Sequence, residues 1–148
     1  MNGTYSYKQR NNVVNIAEML FESYCQSKGY FYRRLGFDEK NDPIPNFYDL
    51  NTFIRNMPDF YINNNGKAGL IMVKGTANIK ASEIKMLPMF MEWYSSEKCP
   101  LLYAFCFKDH KPLLLHPDRL ISLYEQSIDQ QWHDGVTYRN LNLNKETT

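Results

Sequence analysis

Apolar residues recur at helical spacing from Asn12 to Lys28, where Val13, Ile16, Ala17, Leu20, Phe21 and Tyr24 make one stripe. That pattern predicts an amphipathic helix, and Gly29 is its natural stop. The aromatic run YFYRRLGF, bounded by Gly29 and Gly36, reads as a strand. Positions 38–56 hold two prolines and several Asn and Asp residues. They form a long loop insertion with a short helix expected at YDLNTFIRN. Asp59 to Ile62 and Leu70 to Lys74 read as hairpin strands joined by NNNGK, whose Asn and Gly tolerate positive φ. A helix is expected from Ile79 to Ser96, carrying Ile84, Leu87, Phe90, Met91 and Tyr94, with Pro88 set to kink or divide it.

The nearly continuous apolar run PLLYAFCF predicts a strand covered on both faces. KDHK turns the chain into a shorter strand, PLLLH. Pro117 opens a last helix reaching Trp132, with Leu120, Ile121, Leu123, Tyr124 and Ile128 inward and Asp118 in its first turn. GVTYRNLNL is expected to be an edge strand or a hairpin arm. The order is α-β-β-β-α-β-β-α, which predicts an α/β fold with a mixed central sheet flanked by helices. Residues 1–10 and 143–148 are polar and are expected to fray.

Composition narrows the function classes. At 148 residues the chain suits one domain with one real core, and 43% hydrophobic content argues against disorder. A net charge of +1 makes no global case for nucleic acid, so any such case must rest on local clusters. The apolar stretches are too short to span a bilayer, and MNGTYSYKQRNN has no apolar core of the signal-peptide kind. Cys25, Cys99 and Cys106 form no metal-ligand spacing, so free thiols in a reducing cytoplasm are expected, with Cys106 simply core. His110, His116 and His133 are too scattered for a metal set. QQWHDG reads as a polar turn anchored by Trp132.

The stretch with candidate chemistry is MPDFYINNNGKAGLIMVKG, from Met57 to Gly75. Phosphodiester hydrolysis puts extra negative charge on the scissile group, and a divalent metal held by carboxylates offsets it. Alternation along the second strand puts Leu70, Met72 and Lys74 on one face, and Ile71 and Val73 on the other. An acid at position 72 would face Asp59, with Lys74 beside both. A methionine stands there, and a thioether is a poor ligand for Mg²⁺. Glu83 on the next helix, or Glu22 one turn from Glu18, is the candidate replacement.

Three segments resemble the PD-(D/E)xK nuclease superfamily, and within it the archaeal Holliday-junction resolvases. AEMLFESYCQSKGYFYRR resembles the first helix and strand, PDFYI with IMVKG the metal hairpin, and CPLLYAFCFKDHKPLLLHP the later strand pair. The resemblance runs from about Asn11 to Leu123 and implies a restriction-endonuclease-like αβββαβ core. It implies catalytic roles for Glu18, Asp59 and Lys74. It implies Mg²⁺ or Mn²⁺ held by Glu18, Asp59 and the Val73 carbonyl, and a homodimer cutting branched or double-stranded DNA. Met72 departs from the pattern and puts the metal site in question.

Each of these residues also has a bland reading. Asp59 can simply open a strand, Lys74 end one, and Glu18 and Glu22 face solvent. Arg33, Arg34 and Lys80, with Lys8, Arg10 and Lys85, are candidate phosphate contacts or a solvated charged surface. Tyr5, Tyr7, Tyr30 and Tyr32 could stack on bases, though core packing suits them as well. The expectation is a nuclease-fold protein acting on DNA in recombination, repair or phage DNA processing in a host cytoplasm. The rivals are a catalytically inactive binding module and a structural or virion-assembly protein on the same fold.

Overall fold

The computed structural model describes residues 7–35 and 49–146. The loop expected from position 38 therefore lies outside the described residues up to position 48, as do Tyr5 and the side chains of Tyr7, Lys8 and Arg10. The elements in chain order are α1 (Tyr7–Lys28), β1 (Phe31–Arg34), α2 (Thr52–Arg55), β2 (Phe60–Asn64), β3 (Lys67–Lys74), β4 (Asn78–Lys80) and α3 (Ala81–Tyr94). They continue with β5 (Leu101–Phe105), β6 (Leu113–Leu115), α4 (Pro117–Glu125), β7 (Gln130–Gln131), β8 (Thr137–Asn140) and a 3-10 turn at Leu143–Glu146. The expected α/β class with a mixed, helix-flanked sheet is what the chain adopts.

The main sheet has five strands in the order β1-β2-β3-β5-β6. β1, β2 and β3 pair antiparallel, β3 and β5 pair parallel, and β6 returns antiparallel to β5. The parallel step needs a crossover, and α3 lies between β3 and β5 in the chain to supply it. Each sheet face has its own core. On one face Ala17, Phe21 and Cys25 of α1 pack on Phe60, Ile62, Ile71, Val73, Ala104 and Cys106. On the other, Leu87, Phe90 and Tyr94 of α3 and Leu120, Leu123 and Tyr124 of α4 pack on Leu101, Tyr103, Phe105 and Leu115. β5 sends alternate residues to each core, which explains its unbroken apolar run.

Local chemistry sets the element ends. Gly29 sits at φ +71°, Tyr30 N–H donates to the Cys25 carbonyl at 3.0 Å, and Gly29 N–H donates to Gln26 at 3.2 Å. These paired bonds close α1 in a Schellman turn. The β2–β3 hairpin turns on Asn65 (φ 54°) and Gly66 (φ 91°), flanked by the Asn64–Lys67 pair. Two positive φ values match the twist of the strands on either side.

Several expectations are corrected. α1 begins at Tyr7, inside the segment expected to fray. Leu143 is only 9% exposed in its 3-10 turn, so 143–146 is not a loose tail. Pro88 does not divide α3, which runs unbroken from Ala81 to Tyr94 with the proline exposed. α4 ends at Glu125 instead of Trp132, and Ile128 is 76% exposed. Arg139 explains that stop: its guanidinium donates to the Tyr124 carbonyl at 2.8 Å and to Asp129 at 2.7 Å. A charged donor on the Tyr124 carbonyl satisfies that helix-end acceptor, and the chain departs into β7. β8 joins a second, three-stranded sheet in the order β4-β8-β7, which the hydrophobic pattern did not reveal.

Candidate functional site

Asp59 sits where the β2–β3 ladder ends. Pro58 before it is fully buried and has no N–H to give. The Asp59 backbone bonds at both edges: its N–H donates to Ile71 at 2.8 Å, and its carbonyl accepts from Leu35 at 2.8 Å. Its side chain replaces the next rung, Oδ2 accepting from Val73 N–H at 2.7 Å. The residue keeps some surface, but its carboxyl is enclosed, and burial pushes its pKa up to about 7. The Val73 N–H acts against that rise, the Glu18 carboxylate adds to it, and Lys74 and Arg34 oppose it.

Lys74, at the end of β3, donates from Nζ to Glu83 Oε2 at 2.7 Å. Glu83 occupies the first turn of α3, and its other oxygen accepts the Lys80 N–H at 3.3 Å. Here an acid favoured at a helix N-terminus also reaches the strand-end ammonium. Asp59, Met72, Lys74, Lys80, Glu83 and Tyr103 line one cleft of about 420 Å³, which Arg55 of α2 also borders. Tyr103 lies opposite Met72 in the β3–β5 register and is 3% exposed. Burial raises its hydroxyl pKa, and the nearby Glu83 and Asp59 carboxylates raise it further.

Glu18 is placed differently. It and Glu22 both hold Arg34, with Nη1 at 2.7 Å from Glu18 and Nη2 at 2.5 Å from Glu22. Two carboxylates four residues apart on a helix share a face and grip one guanidinium fork. Arg34 also lies 5.1 Å from the Phe60 ring centroid. Glu18 and Lys74 are thus both close enough to act on Asp59, from the α1 side and the cleft side of the sheet. Of these three, only Asp59 and Lys74 line the cleft.

The candidate phosphate contacts divide. Arg34 is engaged by its two glutamates. Lys80 lines the cleft, with Nζ 5.9 Å from the Trp132 ring. Arg33 is exposed and lies 5.7 Å from the Phe31 ring. Tyr30 and Tyr32 pack against the α1-side core.

Val73 turns its side chain into the α1-side core, and its N–H is the donor to Asp59. Met72 packs against the α3-side core. Among the described residues no three His, Cys, Asp or Glu side chains come together as a ready metal cage. The carboxylates that line the cleft are those of Asp59 and Glu83. Tyr103 and Arg55 were not found from the sequence. Tyr103 is hidden in an apolar strand, and Arg55 lies in a four-residue helix without periodicity. No helix among the described residues is long and apolar enough to cross a membrane. No protein-family model matches the chain, and no curated protein matches it.

Proposed function

We propose that this protein is a metal-dependent endonuclease of the PD-(D/E)xK kind acting on DNA, with Glu83 in place of the acid missing at Met72. The observation that carries the reading is the Lys74–Glu83 contact of 2.7 Å in the cleft that Asp59 also lines. Apart from α2 and β4, the order α1, β1, β2, β3, α3, β5 is compatible with the core that the resemblance implies.

The donor set fits a small hard cation. Mg²⁺ takes oxygen ligands and keeps several of its waters, so two carboxylates suffice to anchor it. Asp59 and Glu83 would hold Mg²⁺ or Mn²⁺, with the Val73 carbonyl as a further oxygen. Such an ion would offset charge on the scissile phosphate and lower the pKa of a bound water. Lys74, held by Glu83, presents a positive charge to the phosphate or the attacking water. Arg55 and Lys80 give the cleft rim further positive charge for the DNA backbone. Glu18, engaged by Arg34, acts as a fixed charge beside Asp59 and not as a ligand.

The test is nicking of plasmid and branched DNA with Mg²⁺ or Mn²⁺. Asp59→Asn, Lys74→Ala and Glu83→Gln should each lower the rate by roughly 100-fold or more, the scale of losing one acid–base group. A second reading, a binding module that no longer cuts, is favoured by Met72 itself, an apolar side chain where the pattern calls for an acid. It prevails if the protein binds DNA and no metal supports cleavage. Loss on Asp59→Asn with full activity in Glu83→Gln would remove Glu83 from the site.

A further inference from the structure

We infer that the open face of β1 and β2 is a base-stacking platform that leads an unpaired DNA strand into the Asp59 cleft. The inference rests on the proposed nuclease reading for where the strand goes. The platform itself stands on separate residues. Phe31 pairs with Asn63 and Arg33 with Tyr61 across the two strands. Their neighbours Tyr32, Phe60 and Ile62 turn into the α1-side core. Alternation therefore puts Phe31, Arg33, Tyr61 and Asn63 together on the opposite face.

Phe31, the first residue of the edge strand β1, is 53% exposed, a large area for a phenyl ring to leave in water. Its ring meets Tyr61 edge to face at 6.1 Å, and the Arg33 guanidinium lies 5.7 Å from it. Asn63 donates to the Tyr61 hydroxyl at 3.1 Å, so that ring is held in place. None of the four residues is acidic. Arg34, one residue further on, is held by two carboxylates, whereas the exposed Arg33 guanidinium lies over the Phe31 ring.

An exposed ring beside a half-buried one, interleaved with a cation and an amide, suits unpaired bases and their phosphates. Bases in a duplex are already stacked on one another and gain little from such rings. A protein-docking face would ordinarily carry a broader apolar patch. Asp59 precedes Tyr61 by two residues, about 7 Å along an extended chain, so the platform ends at the cleft.

The test is fluorescence anisotropy with labelled oligothymidylate and a duplex of equal length, in EDTA so that no cleavage occurs. Single-strand binding should exceed duplex binding. Phe31→Ala should weaken it by about tenfold, the scale of one lost base–aromatic stack, and Phe31→Trp should preserve it. Arg33→Ala should weaken binding and flatten its salt dependence. Thermal melts of each variant separate lost contacts from lost folding, since Phe31 and Arg33 are exposed. Equal single-strand affinity in a folded Phe31→Ala variant overturns the platform, and so does a preference for duplex. Concentration-dependent dimers dispersed by Phe31→Ala, without single-strand binding, would assign the face to a second copy and also overturn it. Binding without cleavage by the wild type would remove the nuclease reading and leave the platform. Cleavage of unpaired DNA at full rate by Phe31→Ala would do the reverse.

Discussion

Asp59 combines a structural bond with an enclosed carboxyl. Its Oδ2 ends the hairpin ladder on Val73, while burial raises its pKa from 3.8 to about 7. A raised carboxyl pKa means the folded state keeps a proton that the unfolded chain releases. Stability should therefore fall as pH rises from about 4 to 7, and stay at the lower level above that. Asp59→Asn keeps an acceptor for Val73 and removes the charge. The variant should gain on the order of a few kcal/mol over wild type at pH 8, and little at pH 4. Urea midpoints at the two pH values measure it, and an Asn variant weaker than wild type at pH 8 would contradict the assignment. The proline–aspartate pair before a strand was visible in the sequence. The enclosure of its carboxyl was not, because burial is set by tertiary packing around residue 59, and so is the nearness of the Glu18, Lys74 and Arg34 charges.

At the scale of elements, α3 shows tertiary packing overriding a local signal. Pro88 removes one helical N–H, yet Leu87, Phe90 and Tyr94 around it are buried and keep the helix continuous. The proline itself is exposed, so its replacement disturbs no core contact. Pro88→Ala should restore a backbone bond and raise stability by about 1 kcal/mol or more. A thermal melt checks this, and an unchanged or lower midpoint would show that the helix is kinked in a way the core requires. The hairpin was legible because its turn is a local matter of positive φ at Asn65 and Gly66. α4 was over-extended because its stop is set by Arg139, far along the chain from Tyr124.

Across the whole molecule, one sheet separates two cores and ties them together. β3 gives Ile71 and Val73 to the α1 side and Leu70 and Met72 to the other, and β5 divides its residues likewise. Leu87 and Phe21 are each fully buried, on opposite sides. Leu87→Ala should cost about 2–5 kcal/mol and Phe21→Ala about 3–5 kcal/mol. Because the strands are shared, either loss should lower a single transition. Far-UV circular dichroism and tryptophan fluorescence should give coincident denaturation curves. Separate transitions would mean that the two sides fold independently.

The sequence by itself determined the α/β class, the hairpin, the apolar crossover strand and the list of side chains able to do chemistry. Those follow from spacing, turn chemistry and burial pattern, which act over a few residues. Only the tertiary structure decided which of those side chains meet. It joined Lys74 to Glu83, drew Glu18 and Glu22 onto Arg34, and paired β4 with β8 across the chain. Contacts of that kind depend on how α1 and α3 pack on opposite faces of the sheet, and no local period encodes them.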